Sequence, residues 1–357
     1  MVFKILTINP GSTSTKVGFF ENDKPIKTEN LKHETTELLK FKTVYDQYPF
    51  RKKAIIKFLK ENNIEITEID AFAGRGGLLK PIPGGVYKVN SLMKQHLKYA
   101  KFGEHASNLG AILADELAKE AGGKPAFIVD PPVVDEMIEI ARYSGMPENP
   151  RKSIFHALNQ KAVARRYADS IGKKYEDLNL VVAHLGGGIT VGAHERGKVI
   201  DVNNGLSGDG PFSPERSGGV PTLKLIELCY SGHYEPETMK RKAVGKGGLV
   251  AYLKTNNAIE IEKKIKNGDK EAETVYRAMA YQIAKEIGTY HVVLSCKTDA
   301  IIITGGLAHS EMLVNWIREK IDGLSKIVVY PGEDELLALA EGSLKALKGE
   351  IEIMEYK

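Results

Sequence analysis

The sequence predicts an α/β protein of two related domains. Three observations predict it: the length, an internal duplication, and an alternation of apolar strands with amphipathic helices. At 357 residues the chain is about twice a typical ~150-residue domain, enough for two full-sized cores. The segment ILTINPGSTSTKVGFFENDKPI at 5–26 is echoed by LVVAHLGGGITVGAHERGKVI at 180–200. Their second parts, VGFFENDKPI and VGAHERGKVI, align without a gap at an offset of 174, sharing Val, Gly, Glu, Lys and Ile. An offset near half the chain length is the mark of two copies of one unit.

Each copy reads as a strand, a Gly/Ser turn and a second strand running into a hairpin at Asn22-Asp23 or Arg196-Gly197, and the copies differ by one residue of turn. Apolar residues recurring at three and four predict helices over 51–62, 104–121, 153–171, 271–290 and 334–348. Short apolar runs predict strands over 69–73, 126–129, 299–304 and 326–330. Pro131-Pro132 and SGMPENP at 144–150 are the strongest mid-chain breakers. They place a hinge near 145–152, a first domain over 1–150 completed by a C-terminal helix at 336–357, and a second domain over 151–335.

Composition removes several function classes. Lys plus Arg total 50 against 46 for Asp plus Glu, a net charge of +4 spread along the chain, which argues against nucleic acid as a partner. Only Cys229 and Cys296 occur, without a CxxC pair; a disulfide framework or zinc ribbon is excluded, a reducing cytoplasm fits, and both are expected to be buried small residues. The N-terminal apolar stretch breaks at Pro10-Gly11, and no run of ~18 apolar residues exists, so neither a signal peptide nor a membrane span is expected.

Glycine, 35 residues, exceeds the usual ~7% and clusters in the duplicated turns. Bare backbone N–H groups with added Ser and Thr hydroxyls can cradle phosphate there. Standard phosphate signatures are missing: no Gly-Lys pair is followed by Ser or Thr, Gly186-Gly187-Gly188 does not extend to GxGxxG, and no GxSxG elbow exists. IIITGGLAHS at 301–310 adds a strand running through Gly305-Gly306 to a helix near Ser310, where an adenine or ribose could lie on bare backbone.

The combination INPGSTSTK, GRGG, VDPP, SIFHALNQKAVARRYA, HLGGGITVGAHERGKVIDVNNGLSGDGPFSPERSGG and TGGLAHS resembles the acetate and butyrate kinase family of the actin-like ATPase superfamily across nearly the whole chain. The stretch from HLGGG to PFSPERSG is similar to the butyrate and branched-chain acid kinases in particular. The resemblance implies two actin-like, ribonuclease H-like domains with a nucleotide-binding cleft between them. It also implies reversible transfer of the ATP γ-phosphoryl group to a short-chain carboxylate, giving an acyl phosphate and ADP, with Mg2+ and a homodimer or larger assembly.

Such a reaction needs no base, because a carboxylate with pKa ~4–5 is already ionised. Its difficulty is bringing an anion to a polyanion, so Arg and His on glycine-rich loops are the expected tools. The sequence offers Arg75, His156 and Arg216. Read alone, each arginine could be a solvated loop charge and His156 a core histidine. By resemblance, Arg75 binds the substrate carboxylate, Arg216 stabilises the transferring phosphoryl group and His156 hydrogen-bonds it. Asn9, Ser12, Ser14 and Lys16 form the first phosphate loop, and His184 with Gly186, Gly187 and Gly188 the second. Asp130 matches an active-site aspartate, with a helix N-cap as its other reading. Asn9 and Glu335 are matched to magnesium, with Glu333 and Asp334 crowding that register. Phe155 and Gly77 are expected to line an acyl pocket wide enough for butyrate. Isobutyrate, acetate or propionate remain alternatives as acceptor, because a methylene is worth only ~1 kcal/mol. A sugar kinase or an actin-like switch ATPase is a more distant alternative.

Overall fold

In the first part of the chain the central strand is β1 (Lys4–Pro10), buried from Ile5 onward as a strand covered on both faces must be. It pairs antiparallel with β2 (Ser14–Glu21), which pairs antiparallel with β3 (Lys24–Lys32). On its other side it runs parallel to β4 (Ala71–Gly74), and β5 (Val86–Lys88) and β6 (Ala126–Val129) extend the sheet. A C-terminal strand, Ile353–Glu355, adds to β5 and completes a 7-stranded sheet. The Tyr48–Glu61, Ser91–Lys98 and Asn108–Glu120 helices cover one face through Ile55, Phe58, Met93 and Leu113. The Glu335–Leu347 helix covers the other, where Ala340 and Leu344 meet Ile5 and Phe20. At ~1.5–3 kcal/mol per fully buried large apolar side chain, that contact holds the helix far better than an exposed ion pair worth ~0–1 kcal/mol.

The second sheet repeats the plan. β7 (Asn179–Leu185), β8 (Ile189–Glu195) and β9 (Lys198–Val202) form the antiparallel part, and β10 (Ala300–Gly305) and β11 (Lys326–Pro331) continue parallel to β7. The Ala157–Ser170 helix packs Val163 and Tyr167 on one face. The Lys270–Val293 and Glu311–Ile321 helices cover the other through Ile283, Ile287, Leu313 and Ile317. The computed structural model describes every residue except Ser207.

The order β6-β4-β1-β2-β3 matches β11-β10-β7-β8-β9 strand for strand, so the molecule is a duplicated actin-like α/β fold. Register irregularities fall between Phe19 and Phe20 and between Ala193 and His194, and Asn22 (φ 57°) and Arg196 (φ 47°) take the same left-handed turn position. The turns differ by one residue, because Pro10 lies opposite Thr15 whereas Leu185 lies opposite Ile189.

The chain divides into Met1–Val134 with Asp334–Lys357, and Asp135–Glu333, so the first division precedes the 145–152 breakers. The reason is the sheet edge of the second unit. Ile138 N–H donates to Ile200 O at 2.9 Å, Val199 N–H to Glu136 Oε2 at 2.8 Å, and Lys161 closes on Glu136 at 2.7 Å. Prolines stop a helix; they do not decide which sheet a loop is tied to. The C-terminal helix also ends early, at Leu347 with Gly349 at φ 70°. Beyond it Tyr356 is buried, its hydroxyl 2.8 Å from His96 Nδ1. Both cysteines are exposed, against expectation: Cys229 lies on the Thr222–Tyr230 helix, which buries no residue, and Cys296 in a left-handed turn at φ 56°. Pattern reading passes over that helix and Ala258–Lys266. The first sets only Lys224 and Glu227 against Leu223, Leu225, Ile226 and Leu228, and Ile-Glu-Ile-Glu in the second alternates as a strand would. Among the described residues no helix is long and apolar enough to cross a membrane.

Candidate active site

In the first unit, the β1–β2 turn is held from behind by a buried cation. Arg51, fully buried on the Tyr48–Glu61 helix, donates to Ser14 O (2.9 Å), Ser12 O (3.3 Å), Thr15 Oγ1 (3.1 Å) and Gln47 Oε1 (2.8 Å). Burial pulls its guanidinium down to about 10, still cationic at neutral pH. Thr15 also meets His33 Nε2 at 2.8 Å; burial, and then the Arg51 charge, push His33 down to about 4. Ser12 stays exposed, and Ser14 and Lys16 are half-buried, with Lys16 opposite Asn9 across the hairpin.

Asn9 lies one residue before the end of β1, and its amide donates to Glu335 Oε2. Arg75 follows β4; its NH1 is 3.0 Å from the same oxygen and 3.4 Å from Asn9 Oδ1. Glu335 is 3% exposed yet sits in the first turn of its helix, where the N-terminal dipole favours a carboxylate. The Arg75 loop can lie this close to the Asn108–Glu120 helix because Gly110 has no Cβ to strike the Arg75 carbonyl. Asp130 is fully buried at φ 36°, accepting the Gly85 N–H at 2.8 Å. No helix starts at 132, so the N-cap reading fails.

In the second unit, Arg216 and the β7–β8 turn are built into each other. Any Cβ at Gly188 would collide with the Arg216 guanidinium, whose NH1 donates to Gly205 O. Ser213 Oγ donates to Gly187 O at 2.6 Å and accepts the Arg216 N–H at 3.2 Å. Burial lowers the Arg216 value, opposed by Glu215. His156, at the start of the Ala157–Ser170 helix, stacks on His184 with centroids 3.8 Å apart and planes at 10°. Behind Leu185, Gly305 takes φ 93° against the Leu185 backbone, while Gly306 is exposed with open space on its side-chain side.

The acetokinase family model matches residues 147–329. The butyrate kinase 2 of Clostridium acetobutylicum is 56% identical over 357 residues, spanning 100% of both chains. The chain belongs to the acetokinase family. The acetate kinase of Porphyromonas gingivalis superposes with a TM-score of 0.77 over 97% of this chain and 100% of its own at 19% identity. That of Entamoeba histolytica does so with 0.73 over 95% and 98% at 18%. At those identities the two structures speak for the fold.

Within this acetokinase fold, Asn9, Arg75 and Glu335 come together in one unit, and His156, His184, Gly186–Gly188 and Arg216 in the other. Geometry separates the three crowded acids: Glu335 is the buried one facing Asn9 and Arg75, while Glu333 Oε1 lies 3.1 Å from His184 Nε2, off the hydrogen-bonding direction. Two of the expected residues also have packing partners. His184, expected among the phosphate ligands, is fully buried, its Nδ1 2.8 Å from Asn159 Oδ1, and it backs His156. Gly77, expected to widen an acyl pocket, is small because a Cβ there would strike Asn108, whose side chain fastens the loop by accepting the Leu78 N–H at 2.9 Å. Phe155 is buried beside His156. Sequence reading missed Arg51, Asn108, Gln160 and Thr190. A single arginine on the apolar side of a helix was the one visible signal, and it pointed to Arg51.

Proposed function

We propose that this acetokinase is a butyrate kinase, joining butyrate and ATP to give butanoyl phosphate and ADP reversibly. The full-length 56% identity to a butyrate kinase carries this reading, and the charge arrangement supports it. A carboxylate nucleophile is ready at neutral pH, so the protein's work is positioning and charge neutralisation. Arg75, its direction set by Glu335 and Asn9, would take the butyrate carboxylate as a fork. Arg216, cradled on Gly188, would face the equatorial oxygens of the transferring phosphoryl group, with His156 as a second donor. The Gly186–Gly188 turn and the Ser12, Ser14 and Lys16 set would bind ATP phosphates, and Gly305-Gly306 the adenosine. Asp130, locked by its left-handed backbone, would face the reacting groups. Phe155 would border the acyl chain.

Magnesium belongs to this reading. A buried carboxylate beside a primary amide offers the hard oxygens Mg2+ prefers, and an ion that keeps waters and phosphate oxygens needs few protein ligands. Glu335 and Asn9 would hold it, and it would neutralise phosphate charge. A cytoplasmic homodimer or larger assembly fits the exposed apolar side chains Leu223, Ile226 and Tyr230 on one helix. The test is a hydroxamate assay with ATP and Mg2+ offering butyrate, isobutyrate, propionate, acetate and glycerol, with ADP release measured without acceptor. Acyl hydroxamate greatest with butyrate is expected; steady ADP release with no hydroxamate from any acid would overturn the reading.

A further inference from the structure

Behind His156 runs a buried file of polar side chains in which each partner's role can be deduced. Gln160 is fully buried; its amide nitrogen lies 3.0 Å from Thr190 O and 2.9 Å from Thr190 Oγ1, and its oxygen 3.0 Å from His194 Nε2. A backbone carbonyl only accepts, so the amide cannot be turned round. The oxygen therefore faces His194, and His194 Nε2 carries a proton. His194 is fully buried and pushed well below the usual histidine range by burial, then by the Lys161 and Arg165 charges. It is neutral, so its Nδ1 accepts, and the Tyr175 hydroxyl 2.7 Å away donates to it. At the other end, the second amide hydrogen of Gln160 occupies Thr190 Oγ1. The threonine must place its own hydrogen, and the acceptor in reach is His156 Nδ1 at 2.9 Å.

We infer that this relay, Tyr175–His194–Gln160–Thr190, holds His156 as the tautomer protonated on Nε2, a fixed donor for the transferring phosphoryl group. The inference rests on the reading of His156 as a phosphoryl ligand. It suits the chemistry: transfer to a carboxylate moves no proton, so an imidazole locked as a donor is more useful there than one that titrates. The stacked His184 ring, anchored to Asn159, limits tilting of His156 about the same position. Thr190, Gln160, His194 and Tyr175 are thus positioning residues.

Nitrogen-15 NMR of histidine-labelled enzyme reads the tautomer directly, with the His156 signals assigned by their loss in His156→Gln. A protonated Nε2 and an unprotonated Nδ1 are expected in the unmodified protein. Gln160→Glu should disturb the pattern: the amide hydrogen on Thr190 Oγ1 is lost, so the threonine can turn its own hydrogen away from His156 and accept from Nδ1 instead. Turnover should then fall ~100-fold, the order of losing one preorganised donor, with KM for ATP and butyrate nearly unchanged. Thr190→Val should blur the pattern and slow turnover, and Thr190→Ser should recover both relative to it. A proton on Nδ1 of the unmodified enzyme, or a Gln160→Glu variant with the original spectrum and rate, overturns the relay. Full turnover by His156→Gln overturns the phosphoryl-ligand reading instead, so the two failures are distinguishable.

Discussion

The two duplicated turns share a hairpin, a bulge and a left-handed corner, yet they use arginine in opposite ways. In the first, Arg51 is fully buried beneath the turn and donates to the Ser12 and Ser14 carbonyls, Thr15 Oγ1 and Gln47 Oε1. In the second, Arg216 lies on the glycine face, half-buried, with Gly188 vacating the space for its guanidinium. One cation makes a turn rigid; the other uses a rigid turn as its seat. The duplicated scaffold is indifferent to the distinction, which rests on the side of the turn from which the arginine arrives.

Removing each arginine should break the comparison in a different observable. Arg216→Ala should lower kcat ~1,000-fold or more while ATP binding changes little, and Arg216→Lys should recover little because an ammonium lacks the fork; equal losses in kcat and ATP affinity would place Arg216 in ground-state binding. Next in size, Glu335→Gln should cost ~10–100-fold in kcat and shift the magnesium titration to higher concentration, since it removes a carboxylate that anchors Arg75. An unchanged titration would separate Glu335 from the metal. Arg51→Met should act on stability instead, by ~2–3 kcal/mol in thermal or urea unfolding, because the turn loses the hydrogen bonds that tie Ser12 O, Ser14 O and the buried Thr15 Oγ1 to the helix. Turnover per folded molecule should hold within several-fold, and a kcat collapse without loss of stability would erase the contrast.

The smallest effect concerns pH. His33 sits near 4 when folded against 6.5 unfolded, so on acidification the unfolded chain takes the proton first. Its contribution is full above pH 6.5 and is lost as pH falls towards 4. The melting temperature should therefore drop across that window, and less steeply in His33→Gln; parallel curves would remove His33 as a cause.

Much of this molecule is legible in its sequence, because much of it is local. The periods of Tyr48–Glu61, Lys270–Val293 and the short apolar strands report which face each element buries, and the 174-residue offset reports that one sheet is made twice. Charge types on glycine loops mark anion chemistry before any coordinates exist. Tertiary structure alone decided the rest. Glu335 reaches Asn9 and Arg75 across 326 and 260 positions of chain, and nothing local distinguishes it from Glu333 and Asp334. That His184 is buried against Asn159 and His156, and that Gly77 sits against Asn108, follows from what another element brings alongside. A side chain's periodicity belongs to its own segment, but its exposure, partners and protonation belong to the segments packed against it.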